Sequence, residues 1–161
     1  ARHLLKNSKK LIILKAFTKL YGMAGVRLGY CLCSDTELLA RMRAAGQPWA
    51  VSSLAQAAGI AALDETEYVA KVRALIEAQR PVLADGLRAL GLRVIEGRAN
   101  YLLFRAPEAL GEALRRKGAV LRSCGNYPGL DASWYRTAVR TENENRQLLA
   151  LLAETLPEVA Q

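Results

Sequence analysis

The hydrophobic rhythm of the chain changes at Gly91, and that change narrows the available folds more than any other feature. Upstream of it, Val69, Val72, Ile76, Val82, Leu83, Leu87 and Leu90 recur at helical spacing and predict one long helix over 67–90, bent by Pro81 and stopped by Gly91. Downstream, short apolar runs alternate with turn residues. Segments 92–95 and 101–104 read as strands on either side of a Gly97-Arg98 turn. A helix over 108–117, a strand at 120–121, a loop through Pro128 and Gly129, a strand over 135–139 and a final helix over 143–156 follow. Residues 91–161 therefore predict a small α+β domain, joined to what precedes it by the interdomain helix 67–90.

The opening segment reads differently. The run 11–14 predicts a buried strand after a basic amphipathic stretch, and 26–33 predicts a second strand beyond a loop containing Gly22 and Gly25. Ser34 or Asp35 can cap a helix ending at Gly46 and Pro48. Ser52 or Ser53 can cap another, with Leu54, Ala57, Ala58 and Ala61 at helical spacing. Parallel strands need crossover connections, and no βα unit precedes 11–14. Residues 1–66 are thus expected to be the remnant of a larger α/β domain, carrying the end of its sheet.

At 161 residues the chain can bury a sizeable core, and its 52% hydrophobic and 24% charged residues form an ordinary globular mixture. The net charge of +8 invites an acidic partner. Zinc-finger spacing, an RNP-like aromatic strand and a basic heptad run are all missing from the sequence, so no nucleic-acid partner is expected. No run approaches the roughly 20 apolar residues of a membrane span, and the start of the sequence holds no signal-type apolar core, so a cytoplasmic protein with no membrane partner is expected. Cys31, Cys33 and Cys124 suit reduced, packed thiols. With one histidine in the chain, no metal site is expected.

Two polar blocks stand out. Lys19 follows the first strand in Thr18-Lys19-Leu20-Tyr21-Gly22-Met23-Ala24-Gly25-Val26-Arg27-Leu28-Gly29-Tyr30, with Arg27 eight residues on. A lysine in a loop is ordinarily a solvated charge. Here the glycines let the backbone turn sharply and approach a ligand, and an amine and a guanidinium are held on one loop. The second block is Arg122-Ser123-Cys124-Gly125-Asn126-Tyr127-Pro128-Gly129-Leu130 with Arg136-Thr137-Ala138-Val139-Arg140. Arg136 and Arg140, four residues apart on a predicted strand, are expected to share a face, which either binds an anion or points to water.

The first block resembles the signature of fold-type I pyridoxal-phosphate (PLP) aminotransferases of class I/II, in which a Schiff-base lysine precedes a phosphate-binding arginine at this spacing. The resemblance implies the C-terminal portion of a PLP-dependent transferase fold: the end of the large-domain sheet, then a small domain. It implies Lys19 as the catalytic lysine, and Lys19, Arg27 and Thr18 as cofactor-binding residues for pyridoxal 5'-phosphate. Many members carry Ser or Thr three residues before the lysine, where this chain has Ala16.

The second block is similar to the threonine-phosphate decarboxylase branch of cobalamin biosynthesis, a relative of the histidinol-phosphate aminotransferases, which typically have glycine at the position of Arg140. By that resemblance Arg136 grips a substrate α-carboxylate, Arg122 faces the same site, and Asn100 before Tyr101 belongs to an Asn-aromatic pair that otherwise merely caps a turn.

The implied reaction is decarboxylation of L-threonine O-3-phosphate to 1-amino-2-propanol phosphate, as part of a longer, homodimeric enzyme acting on a phosphorylated amino acid. Histidinol-phosphate aminotransferase is the alternative. A reading from another class is a non-catalytic fragment or basic binding module. The isolated fragment is expected to be weak or inactive, because the family's pyridine-pairing Asp, ring-stacking aromatic and phosphate loop lie upstream of the matched region.

Overall fold

The structure, a computed structural model, describes residues 2–159. Contacts divide the chain after Ala70 into two compact units.

In the first unit a 3-10 turn over Arg2–Asn7 leads into β1 (Ile12–Ala16), which pairs antiparallel with β2 (Gly29–Cys33), Ile12 opposite Cys33 and Ala16 opposite Gly29. The expected second strand thus loses its first three residues: 24–27 form a turn, and Arg27 at φ 55 breaks the extended run. Helix α1 (Thr36–Ala45) starts where the Asp35 carboxylate accepts from Leu38 N at 2.9 Å, and α2 (Ser53–Asp64) where Ser52 Oγ accepts from Ala55 N at 3.2 Å. Phe17, only 3% exposed, is the unit's large buried side chain. It packs beneath α2 at Gly59, where any Cβ would run into the Leu28 side chain and lie 3.7 Å from the Phe17 ring. Tyr21 and Tyr30 flank the Phe17 ring at 5.2 and 5.7 Å between centroids.

Helix α3 (Thr66–Ala89) runs continuously through Pro81 and carries Leu83, Ala84 and Leu87 into the core of the second unit. That unit has an antiparallel sheet of β3 (Arg93–Ile95), β4 (Tyr101–Arg105), β5 (Arg122–Ser123) and β6 (Trp134–Ala138) in the order β3-β4-β6-β5. Period-two alternation sorts its side chains. Leu102, Phe104 and Tyr135 point to one face and are buried with Leu87, with Leu110 and Leu114 of α4 (Leu110–Arg116), and with Leu152 of α5 (Glu142–Val159). Tyr135 lends its hydroxyl to this packing, donating to Glu108 O at 2.6 Å and accepting from Gly111 N at 3.2 Å.

Helix α5 begins with a capping box. The Glu144 carboxylate accepts from Thr141 N at 3.2 Å and from Thr141 Oγ1 at 2.6 Å. Asn145, 2% exposed, accepts from Arg140 N and donates to Arg140 O and Gln79 Oε1, tying the β6–α5 connection to α3.

Phe104 is fully buried at the centre of this core. Phe104→Ala should cost about 3–5 kcal/mol in denaturant unfolding, and a loss below about 1 kcal/mol would contradict the packing described. Acid should also weaken the unit. The hydrogen bonds from Thr141 hold the Glu144 carboxyl below its ordinary value, and those from Ser133 do the same for Asp131. Groups depressed in the folded state contribute stability above their unfolded values, here near 4.5 and 3.8, and lose it as pH falls through the folded values. The denaturation midpoint should therefore fall as pH drops below about 4. The fall should be shallower in Glu144→Gln, and an unchanged slope in that variant would reject the assignment.

Candidate functional site

The polar residues of the first unit lie on one closed loop. Phe17 N donates to Leu28 O at 3.2 Å, and Met23 N donates back to Phe17 O at 3.3 Å. Lys19 sits two residues beyond the first of these pairing points and Arg27 one residue before the other, so both cations extend from the same narrow loop neck. Gly22 completes the turn after Lys19, with its N–H on Lys19 O at 3.3 Å and φ +66, a backbone shape that disfavours a side chain.

Arg27 takes the same left-handed region without being glycine, a strained conformation that costs on the order of 1 kcal/mol and concentrates at ligand-binding positions. Its Nη1 donates to Ala24 O at 3.2 Å, which steadies the guanidinium while leaving the other donors open. Both cations are solvent-exposed, and among the described residues neither forms an ion pair. Thr18 is half-buried beside Lys19. An amine and a guanidinium on one braced loop, neither neutralised internally, fit an aldehyde bearing a phosphate.

In the second unit, Arg122 and Arg136 are direct cross-strand partners on the face opposite the core. Like charges so placed repel, at a cost of roughly 0.2–1 kcal/mol, and no carboxylate among the described residues pairs with either. The Arg136 guanidinium lies over the Tyr101 ring, 4.6 Å from its centroid, which orients the fork. Asn100 opens β4. Its carbonyl accepts from Val139 N at 2.9 Å, and its exposed side chain stands at the same end of the sheet as Tyr101.

Arg140 departs from the expected shared face. The strand ends at Ala138, and Arg140 Nη2 turns to Glu144 Oε1 at 2.7 Å, so this arginine closes the first turn of α5. The Tyr101 platform was not foreseen. Its signal was the even spacing of Tyr101, Leu103 and Arg105, which marks the open face of β4. Cys31, Cys33 and Cys124 are free thiols, and no cluster of potential metal ligands occurs among the described residues.

The strand-loop lysine, the following helices and the arginine-bearing small sheet together define a PLP-transferase type of fold, and comparison with known proteins agrees. The family model for aminotransferase class I and II matches residues 1–152, and the chain belongs to that family. It is 38% identical over 160 residues to a threonine-phosphate decarboxylase from Salmonella typhimurium, covering 97% of this chain and 44% of that protein. It is likewise 38% identical over 161 residues to a histidinol-phosphate aminotransferase from Symbiobacterium thermophilum, covering 98% and 44%. The crystal structure of the histidinol-phosphate aminotransferase from Clostridium acetobutylicum superposes with a TM-score of 0.91 at 31% identity, over 98% of this chain and 49% of that one. The chain thus spans a little under half the length of the relatives it matches.

The opposed arginines carry a measurable expectation. Arg122→Gln should leave the ligand-free protein as stable as the parent or more stable, by up to about 1 kcal/mol, because it removes a like-charge contact. It should also abolish stabilisation by added inorganic phosphate. A destabilised variant that still responds to phosphate would show that Arg122 is a structural residue.

Proposed function

We propose that this chain contributes the lysine-bearing loop and the anion-gripping sheet of a pyridoxal-phosphate enzyme that decarboxylates L-threonine O-3-phosphate to 1-amino-2-propanol phosphate, a step of cobalamin biosynthesis. The observation that carries the reading is the closed 17–28 loop, with Lys19 and Arg27 beside its neck and neither in an ion pair among the described residues. PLP, when bound, supplies an electron sink for the pair released as a bond to the substrate Cα breaks.

This chain's residues then have distinct tasks. The Lys19 amine attaches the cofactor and afterwards holds or moves a proton at Cα. Arg27 neutralises the cofactor phosphate, with the Thr18 hydroxyl available beside it. The Arg136 fork, braced on Tyr101, matches an α-carboxylate and fixes which Cα bond is presented; Arg122 takes the substrate's second anion. Asn100 offers an amide at the edge of the same face.

Histidinol-phosphate aminotransferase is the second reading, favoured by an identity equal to that of the decarboxylase and by the 0.91 superposition. The proposal includes a cytoplasmic homodimer for the whole protein.

Incubating the chain with PLP, trapping with borohydride and mapping the peptides tests the lysine assignment even if binding is weak. Lys19 should carry the pyridoxyl group in preference to the other lysines; uniform labelling, or an unlabelled Lys19, would reject it. For the whole protein, threonine phosphate should release carbon dioxide without a keto acid. Keto-acid-dependent amino transfer with no carbon dioxide would select the second reading.

A further inference from the structure

The connection between β3 and β4 leaves the sheet after Ile95 and returns at Tyr101, and Glu96, Gly97 and Arg98 in its first part are exposed. An untethered connection of this kind would let the start of β4 fray. One side chain of the second unit opposes that. Arg80 of α3, half-buried, donates from Nε to Ala99 O at 3.0 Å and from Nη2 to Arg98 O at 3.2 Å, so one planar fork holds two successive carbonyls of the bend. Its support is rigid, because Leu83, three residues on along the same side of the helix, is fully buried in the core.

The residue before Arg80 fastens the end of the neighbouring strand. Gln79 Oε1 accepts from Asn145 Nδ2 at 3.2 Å, and the same asparagine amide binds Arg140 N at 3.1 Å and Arg140 O at 3.0 Å, just beyond β6. Val139 N donates to Asn100 O at 2.9 Å and so joins the two fastened segments. Directly inside this clamp stand Asn100 and Tyr101, the residues that follow the two carbonyls held by Arg80. The Tyr101 ring in turn carries the Arg136 guanidinium at 4.6 Å from its centroid.

We propose that Arg80 is a positioning residue for the substrate carboxylate: by fixing the 98–100 bend it fixes the Tyr101 ring, and through that ring the angle at which the Arg136 fork meets the carboxylate. The inference rests on the carboxylate grip proposed for Arg136. Arg80 touches no substrate itself, since its fork is engaged with main-chain carbonyls. Two parallel hydrogen bonds from a guanidinium to a carboxylate tolerate little angular error, so a loosened platform weakens that contact and leaves a phosphate held elsewhere in place. A tether that served stability alone would instead affect the binding of both anions equally, or of neither.

The test compares, in the whole protein loaded with pyridoxal 5'-phosphate, the calorimetric binding of two unreactive phosphates. One is the O-phosphate of (R)-3-hydroxybutanoate, which is threonine phosphate without its amine; the other is isopropyl phosphate, which lacks the carboxylate as well. The parent should prefer the first by about tenfold or more, the weight of a charge-assisted contact, and Arg136→Gln should erase that preference. Arg80→Lys, which keeps the charge but not the fork, and Arg80→Gln should each cut the preference by about fivefold or more while binding isopropyl phosphate as the parent does. Added to Arg136→Gln, Arg80→Lys should cost nothing further. A parent without the preference, or Arg136→Gln retaining it, would refute the carboxylate grip and this inference with it. A preference lost in Arg136→Gln but intact in both Arg80 variants, an equal loss for both phosphates, or a double variant worse than Arg136→Gln alone would refute the positioning role and leave the grip standing.

Discussion

Burial of Phe17 beneath α2 is the contact on which the lysine loop depends. Because position 59 is glycine, the ring and the Leu28 side chain approach the helix closely, and the main chain at 17 and 28 comes within hydrogen-bonding distance. The loop between them is thereby closed at its neck, and closure turns two flexible cations into groups held on one support. Aromatic contacts from Tyr21 and Tyr30 to the same ring reinforce the base of the loop. The left-handed φ of Arg27 then has a physical account: the closed loop holds the backbone in a shape that an isolated turn would abandon.

The second unit solves a different problem with the same economy. One face of its sheet is spent on Leu102, Phe104 and Tyr135 and makes the core; the other is left to cations and aromatics. Opposing Arg122 to Arg136 weakens the sheet in the absence of a ligand, and the rings of Tyr101 and Trp134 beneath Arg136 and Arg93 hold guanidinium groups that have no carboxylate partner among the described residues. The proposed anion-binding role of this face would relieve that repulsion.

Much of this was legible in the chain itself. The long helix and the strands of the small sheet follow from the switch in hydrophobic period at Gly91, since helix and strand periods differ enough to be told apart without tertiary information. What escaped depends on geometry that hydropathy does not carry. β2 begins at Gly29 because the backbone turns at Arg27, and β5 lies at Arg122–Ser123 whereas the apolar signal had pointed to Val120, a residue 71% exposed. Arg140 was expected beside Arg136, but a capping glutamate four residues further on draws it away. The Arg93–Arg105 pairing is a matter of strand register, and nothing local to either residue specifies which partner it will face.

The central claim is that Lys19 and Arg27 engage the two ends of one ligand, an aldehyde at the amine and a phosphate at the guanidinium. The most direct measurement is a crystal structure of the whole protein grown with pyridoxal 5'-phosphate. The account predicts continuous electron density from Lys19 Nζ into the pyridine ring, with the phosphate oxygens against the Arg27 guanidinium. A ring attached to another lysine, or a phosphate lodged away from Arg27, would contradict it.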